Sequence, residues 1–263
     1  MTQRGKSPIK DKPLRAPGQS LDEQRFDLFY DKQLAPFFVA LMLVMIAALE
    51  WWRYFHQAPP SPVLFTAFAL FAAGYTALQF WRLRPRLRQL RLAAEGEKAV
   101  GQYLERLRES GYQVFHDVMG TGFNVDHVII GPGGVFTIET KTRSKPAKSD
   151  ARVEFDGERI TVAGIEPDRD AIVQAKAQAN WLRQLLAEST GRQLKVRPVI
   201  LFPGWFVTQS RGSMRDVWVL EPKALPGFLG NEPPILKDEE IRLASFHLSR
   251  FIRVEEQRRS RTG

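Results

Sequence analysis

Asn124, Asp126, Glu139 and Lys141 are set among strongly apolar residues in this 263-residue chain. Asn124 and Asp126 precede Val128-Ile129-Ile130, and Glu139 and Lys141 follow Val135-Phe136. Between the two runs lies Gly131-Pro132-Gly133-Gly134, a strong turn signal. With those four residues as a hairpin loop, Ile130 faces Val135, Val128 faces Thr137, Asp126 faces Glu139 and Asn124 faces Lys141. Side chains two apart on a strand share a face, so the four polar groups cluster. Opposed carboxylates repel, and buried charge is costly without compensation. Lys141 offsets part of the charge, and a divalent cation held by Asp126 and Glu139 would complete the balance. The chain has no cysteine, and oxygen ligands alone suit Mg²⁺ or Mn²⁺. A purely structural ion pair of Glu139 and Lys141 beside Asp126 is the alternative. His127 alternates to the opposite strand face and reads as a packing residue.

Further polar residues could serve such a site. Gln174 and Gln178 are four apart and share one face of an expected helix, either a solvated face or one turned to the site. Arg143, Lys145 and Lys148 could hold a phosphate backbone or form a solvated loop. Lack of cysteine excludes disulfides, thiolate-ligated zinc and a cysteine nucleophile. No convincing Ser-His-Asp set exists, and the glycine turn lacks the Lys-Ser/Thr of a P-loop.

The elements that must position these groups follow from periodicity. Residues 95–110 read as a helix with Val100, Leu104 and Leu107 on one stripe and Gly111 beyond its end. Strands are expected over 112–118, 124–130, 135–141, 196–202 and 216–220. Two more, 152–155 and 159–162, flank Asp156-Gly157, a tight-hairpin dipeptide. Helices are expected over 170–188 and 238–254. Helix, strands, helix, strands, helix suits an α/β domain over 92–254, a mixed central sheet flanked by helices. A basic tail, 255–263, would follow.

The N-terminal third differs in kind. Residues 1–33 read as a largely disordered cytoplasmic tail with an amphipathic stretch around Leu21–Phe29. Segments 34–52 and 62–81 are each near the roughly 20 apolar residues that span a bilayer, with Trp51, Trp52, Tyr54 and Trp81 at their ends. They predict a two-helix transmembrane hairpin. Arg82, Arg84, Arg86, Arg88 and Arg91 form a basic juxtamembrane linker, 82–91. The positive-inside bias then puts both termini and the domain in the cytoplasm, at an inner or plasma membrane. Of the formal +9 charge, +2 belongs to residues 1–33, +5 to residues 82–91 and +3 to residues 250–263, which leaves −1 for 92–249. The basicity therefore fits a lipid bilayer partner at least as well as nucleic acid.

Glu95-Gly96-Glu97 opening a helix, Asn124 to Phe136 with its glycine turn, and Ile138-Glu139-Thr140-Lys141 together resemble the NERD (nuclease-related) domain. That family belongs to the PD-(D/E)xK nuclease-like superfamily, and the resemblance covers roughly residues 91–205. It implies a restriction-endonuclease-like fold and metal-dependent hydrolysis of nucleic acid, DNA ahead of RNA. Asp126 and Glu139 then correspond to the metal-binding carboxylates, and Lys141 to the lysine that orients or activates water. Glu97, or Glu95 beside it, corresponds to a supporting acid. Asn124, Gln174, Gln178 and Arg143 fall where substrate contacts are expected. Arg143-Ser144-Lys145-Pro146 departs from the small, glycine-containing stretch usual there, which bears on the substrate groove. The competing reading is a non-catalytic, membrane-tethered binding scaffold that keeps the nuclease fold.

Overall fold

The computed structural model describes residues 14–30, 34–56, 62–120, 122–143, 152–165, 169–210 and 215–262. The chain forms two compact units, one from Ser20–Leu92 and the other from the residues up to Gln19 together with Ala93–Gly263.

The first unit contains α1 (Gln19–Phe29, beginning one residue before the unit), α2 (Ala35–Phe55) and most of α3 (Pro62–Glu105). Apolar stretches of α2 and α3 are long enough to cross a membrane, with mean hydropathy 1.6 in each. They run antiparallel: Trp51 Nε1 donates to Thr66 Oγ1 at 2.9 Å, while Thr76 Oγ1 reaches the Pro36 carbonyl at 3.4 Å. Buried positions are small, Ala40, Ala47 and Ala69, which lets helix backbones approach closely. Large side chains such as Phe38, Met42, Leu70 and Phe71 stay exposed. The arginine stretch 82–91 is helical throughout, so the expected linker and the first domain helix are parts of one α3. Leucines at 83, 87 and 90 favour that continuity, and Pro85 is accommodated within it.

In the second unit, α3 ends in a 3₁₀ turn, Arg106–Ser110, closed by left-handed Gly111 (φ 83°). Then follow β1 (Gln113–Met119), β2 (Asn124–Gly131), β3 (Gly134–Thr140), β4 (Arg152–Phe155), β5 (Ile160–Val162), α4 (Arg169–Thr190), β6 (Val196–Leu201), β7 (Phe206–Gln209), β8 (Trp218–Leu220), α5 (Leu225–Asn231) and α6 (Asp238–Thr262). β1-β2-β3-β6-β8 make one mixed sheet, antiparallel through β3 and parallel from β3 to β8. A second sheet, β5-β4-β7, replaces the single sheet expected.

Both faces of the larger sheet are covered, which explains its near-continuous apolar strands. Val128, Ile130 and Val135 pack with Leu182 and Leu186 of α4 and with Ala244 and Leu248 of α6. Ile129, Phe136 and Ile138 pack on the other side with Val100 and Leu104 of α3 and Leu225 and Leu229 of α5. The β2–β3 register is the expected one, Val128↔Thr137 and Ile130↔Val135. Its turn is shorter, however. Gly131 and Gly134 pair with each other, leaving a two-residue turn at Pro132-Gly133. Gly134 has φ +122°, and a Cβ on Gly131 would lie 2.1 Å from the Tyr112 ring, so both positions need glycine.

Three other boundaries differ from expectation. α6 continues through the supposed basic tail to Thr262. β7 and α5 occupy stretches with no readable pattern, the latter within the proline-rich 222–234 segment. Residues 14–19, expected in a mobile tail, fold onto the second unit.

Candidate active site

Two strands and one helix bring the acidic and amide groups together. The β2–β3 ladder ends at His127↔Ile138, one residue before Asp126 and Glu139 would pair. Beyond that point the Asp126 side chain replaces the backbone: its Oδ2 accepts the Thr140 N–H at 2.6 Å. Glu139 is buried, and its two oxygens have different partners. Oε1 lies 3.0 Å from Lys141 Nζ, and Oε2 accepts Gln178 Nε2 at 2.7 Å. Lys141 Nζ also donates to Gln174 Oε1 at 2.9 Å. Gln174 and Gln178, one turn apart on α4, thus both face these groups, and Gln178 is only 2% exposed. The solvated-face alternative fails for Gln178, whereas Gln174 is exposed while it holds Lys141.

Asn124 is used differently than expected. Its side-chain Nδ2 is 3.3 Å from Asp117 Oδ1, and its backbone carbonyl accepts Gln178 Nε2 at 2.8 Å. It positions Gln178 instead of presenting an amide to a ligand. Arg143 is exposed beside Thr142, whereas Ser144, Lys145, Pro146 and Lys148 lie outside the described residues. Of the two helix acids, Glu97 is buried and Glu95 is exposed. Between them Gly96 packs so closely that an added Cβ would lie 1.9 Å from Thr142 Oγ1, which keeps α3 against the end of β3.

Electrostatics bind these groups into one site. Burial first, then the charges of Glu139 and Glu97, push the Asp126 carboxyl well above its ordinary value of 3.8. The Thr140 N–H and Lys141 oppose that rise without cancelling it. Asp126 therefore demands neutralisation by a proton or by a cation. Gln178 Oε1 is buried with no hydrogen-bond partner among the described residues. Flipping the amide would set that oxygen against Glu139 and the Asn124 carbonyl, so the assignment is physically required. The Gln178 amide touches Glu139, whose charge together with that of Glu97 acts on Asp126, and oxygen donors of these types suit a hard divalent cation. Among the described residues, no group of three or more acidic or histidine side chains is already drawn together as a ligand cluster. Lys141 pairs with Glu139 and leaves Asp126 uncompensated.

His127 is fully buried on the opposite face, its Nδ1 2.9 Å from His116 Nδ1. His116 Nε2 meets Glu105 Oε1 at 2.6 Å. Burial, and then the charge of His116, drives His127 well below its ordinary 6.5. The folded domain holds it neutral while an unfolded chain would protonate it, so stability is lost as pH falls below about 6.5. His127→Phe should flatten that acid-side loss in thermal melts across pH; an unchanged pH profile would refute the assignment.

The sequence reading missed Asp117 and Arg15. Asp117 sits in β1 with φ 49° and is buried against the Arg15 guanidinium, Nε to Oδ2 2.8 Å. An acid inside an apolar strand was the available signal.

A mixed α/β sheet with acids, a lysine and glutamines gathered at one strand end defines the type of domain. Residues 92–203 match the family model of the nuclease-related domain, NERD. The matched stretch holds Glu97, Asp126, Glu139, Lys141, Gln174 and Gln178. No curated protein and no solved structure matches the chain.

Proposed function

We propose that this protein is a membrane-anchored, metal-dependent nuclease that hydrolyses phosphodiester bonds of DNA, or of RNA, at the cytoplasmic face. The observation that carries the reading is the convergence of Asp126, Glu139, Glu97 and Lys141 at the end of β2 and β3, with Asp126 driven to seek neutralisation. Asp126 and Glu139 would hold Mg²⁺ or Mn²⁺, with Gln178 Oε1 as a neighbouring neutral donor. Bound there, the ion would supply Lewis-acid stabilisation of phosphate charge and a more acidic water. Lys141, released from Glu139, would orient the attacking water and offset charge on the phosphate. Gln174 holds the Lys141 ammonium in place, and Glu97 supports the acidic field. The test uses full-length protein in detergent micelles with DNA and RNA substrates and added Mg²⁺ or Mn²⁺. Cleavage should require the cation, and Lys141→Met should slow it roughly a hundredfold, the scale of losing one charge-stabilising donor. A folded protein that cuts neither polymer sinks the proposal.

A scaffold without turnover is the second reading. Two observations favour it: the Glu139–Lys141 ion pair already balances charge, and residues 92–249 carry about −1 net charge, where nucleic-acid binders usually show a basic footprint.

For the anchor, the exposed apolar surfaces of α2 and α3 support a bilayer crossing, and the arginines at 82–91 support a cytoplasmic flank. Gly18 lies against Ala94, which suits an even number of crossings between them. With no native cysteine, topology is directly testable. His56→Cys should be labelled by an impermeant maleimide from outside intact cells, and Glu95→Cys only after permeabilisation. The reverse pattern would invert the topology.

A further inference from the structure

Residues 14–19 precede the apolar helices, yet they pack on the nuclease-related unit. Leu14 joins the core around Phe115 and Leu248. Pro17 lies against Gly101 of α3, where an added Cβ would come within 2.4 Å of its ring. Gly18, left-handed at φ +68°, rests on Ala94; a Cβ there would be 3.6 Å from Glu97 Oε2. This segment therefore passes directly beside one of the site acids.

Arg15 makes the deepest contact. It is 6% exposed and donates Nε to Asp117 Oδ2 at 2.8 Å, with Asp117 itself 1% exposed. A buried, charge-assisted bond of this kind is costly to break, because removing one partner strands the other charge. By the β1–β2 register Asp117 stands opposite Asp126, so its charge must be compensated close to the site. From Asp117 polar contacts continue inward: Oδ1 to Asn124 Nδ2 at 3.3 Å, the Asn124 carbonyl to Gln178 Nε2 at 2.8 Å, and that same Nε2 to Glu139 Oε2 at 2.7 Å. Each member except Arg15 lies within or beside the strands and helix that build the site.

We propose that residues 14–19 are a strap belonging to the nuclease-related domain, and that Arg15 is a positioning residue that orients Glu139 through Asp117, Asn124 and Gln178. The strap rests on packing alone; the positioning role rests also on the metal-site reading above. Partners that orient metal ligands commonly contribute as much to affinity as lesser ligands do, which sets the expected scale.

The test uses the full chain in detergent micelles and needs no nucleic-acid cleavage. Limited trypsin digestion should spare the bond after Arg15, which is 6% exposed, and Gly101→Val, whose side chain would collide with the Pro17 ring, should expose it. Rapid cleavage after Arg15 in the folded wild type overturns the strap. By calorimetry, Arg15→Ala should weaken Mn²⁺ binding roughly tenfold, and Arg15→Lys, which keeps a cation against Asp117, should recover part of that loss. Should Arg15→Ala not fold, Arg15→Lys carries the comparison, with a smaller weakening expected. Folded variants that bind Mn²⁺ as wild type does overturn the positioning role. If wild type binds no Mn²⁺, the metal-site reading and Arg15's role in it fall together, whereas the digestion result still decides the strap.

Discussion

Asp126→Asn should abolish cation-dependent cleavage, a loss of about a thousandfold or more, while leaving the folded domain at least as stable as wild type. Metal assistance supplies several kcal/mol of transition-state stabilisation, and each 1.36 kcal/mol is tenfold in rate. Asparagine keeps an oxygen to accept the Thr140 N–H but removes the charge that Glu139 and Glu97 oppose. The sign of the pH effect follows. Folding raises the Asp126 pKa, so above the ordinary value of 3.8 the unfolded chain releases a proton that the folded chain retains. Without divalent cation, wild-type stability should therefore fall as pH rises from that value through the raised one. Asp126→Asn should lack the decline, and added Mn²⁺ should raise the melting temperature of wild type alone. Melting curves across pH, with and without Mn²⁺, check all three. An asparagine variant that still cleaves, or that melts well below wild type at neutral pH, would show that Asp126 has a different role.

The second large effect concerns the core that holds β3 in place. Phe136 is 1% exposed, and its ring stacks on Trp218 at 5.4 Å. Trp218 in turn meets the Phe228 ring at 5.4 Å and the Arg197 guanidinium at 4.8 Å. Phe136→Ala removes the ring and leaves a cavity between β3, β8 and α5, which costs about 3–5 kcal/mol. That is a large share of the stability of an ordinary domain. Denaturant titration of the full chain, followed by a probe specific to the domain, measures it. A loss no greater than that of a surface substitution would place the core elsewhere. Because Phe136 lies on the face opposite Glu139, a well-folded remnant should retain whatever cation affinity wild type has.

The arrangement of β2 and β3 was legible because it is local. Two apolar runs around a glycine turn admit few registers, and a period of two assigns each side chain to a face. Hence Asp126, Glu139 and Lys141 could be gathered on paper, and His127 sent to the other side. The apolar lengths of α2 and α3 were readable for the same reason, since length and composition along one segment suffice.

Contacts between distant segments were not legible. Spacing could not show that the ladder stops at His127↔Ile138 and that Asp126 then caps the Thr140 N–H. Two glutamines at helical spacing do not reveal whether they meet solvent or a carboxylate; packing of α4 on the sheet decides that. Arg15 and Asp117 are 102 residues apart, and no periodicity connects them. Short β7 is held by its parallel pairing with β4, not by a pattern of its own. Hydrophobic alternation is a property of one strand or helix, whereas charge compensation depends on which elements become neighbours. The acids at the end of the β2–β3 hairpin were therefore written in the primary structure, but the partners that neutralise and aim them arose only when α3, α4 and residues 14–19 folded against it.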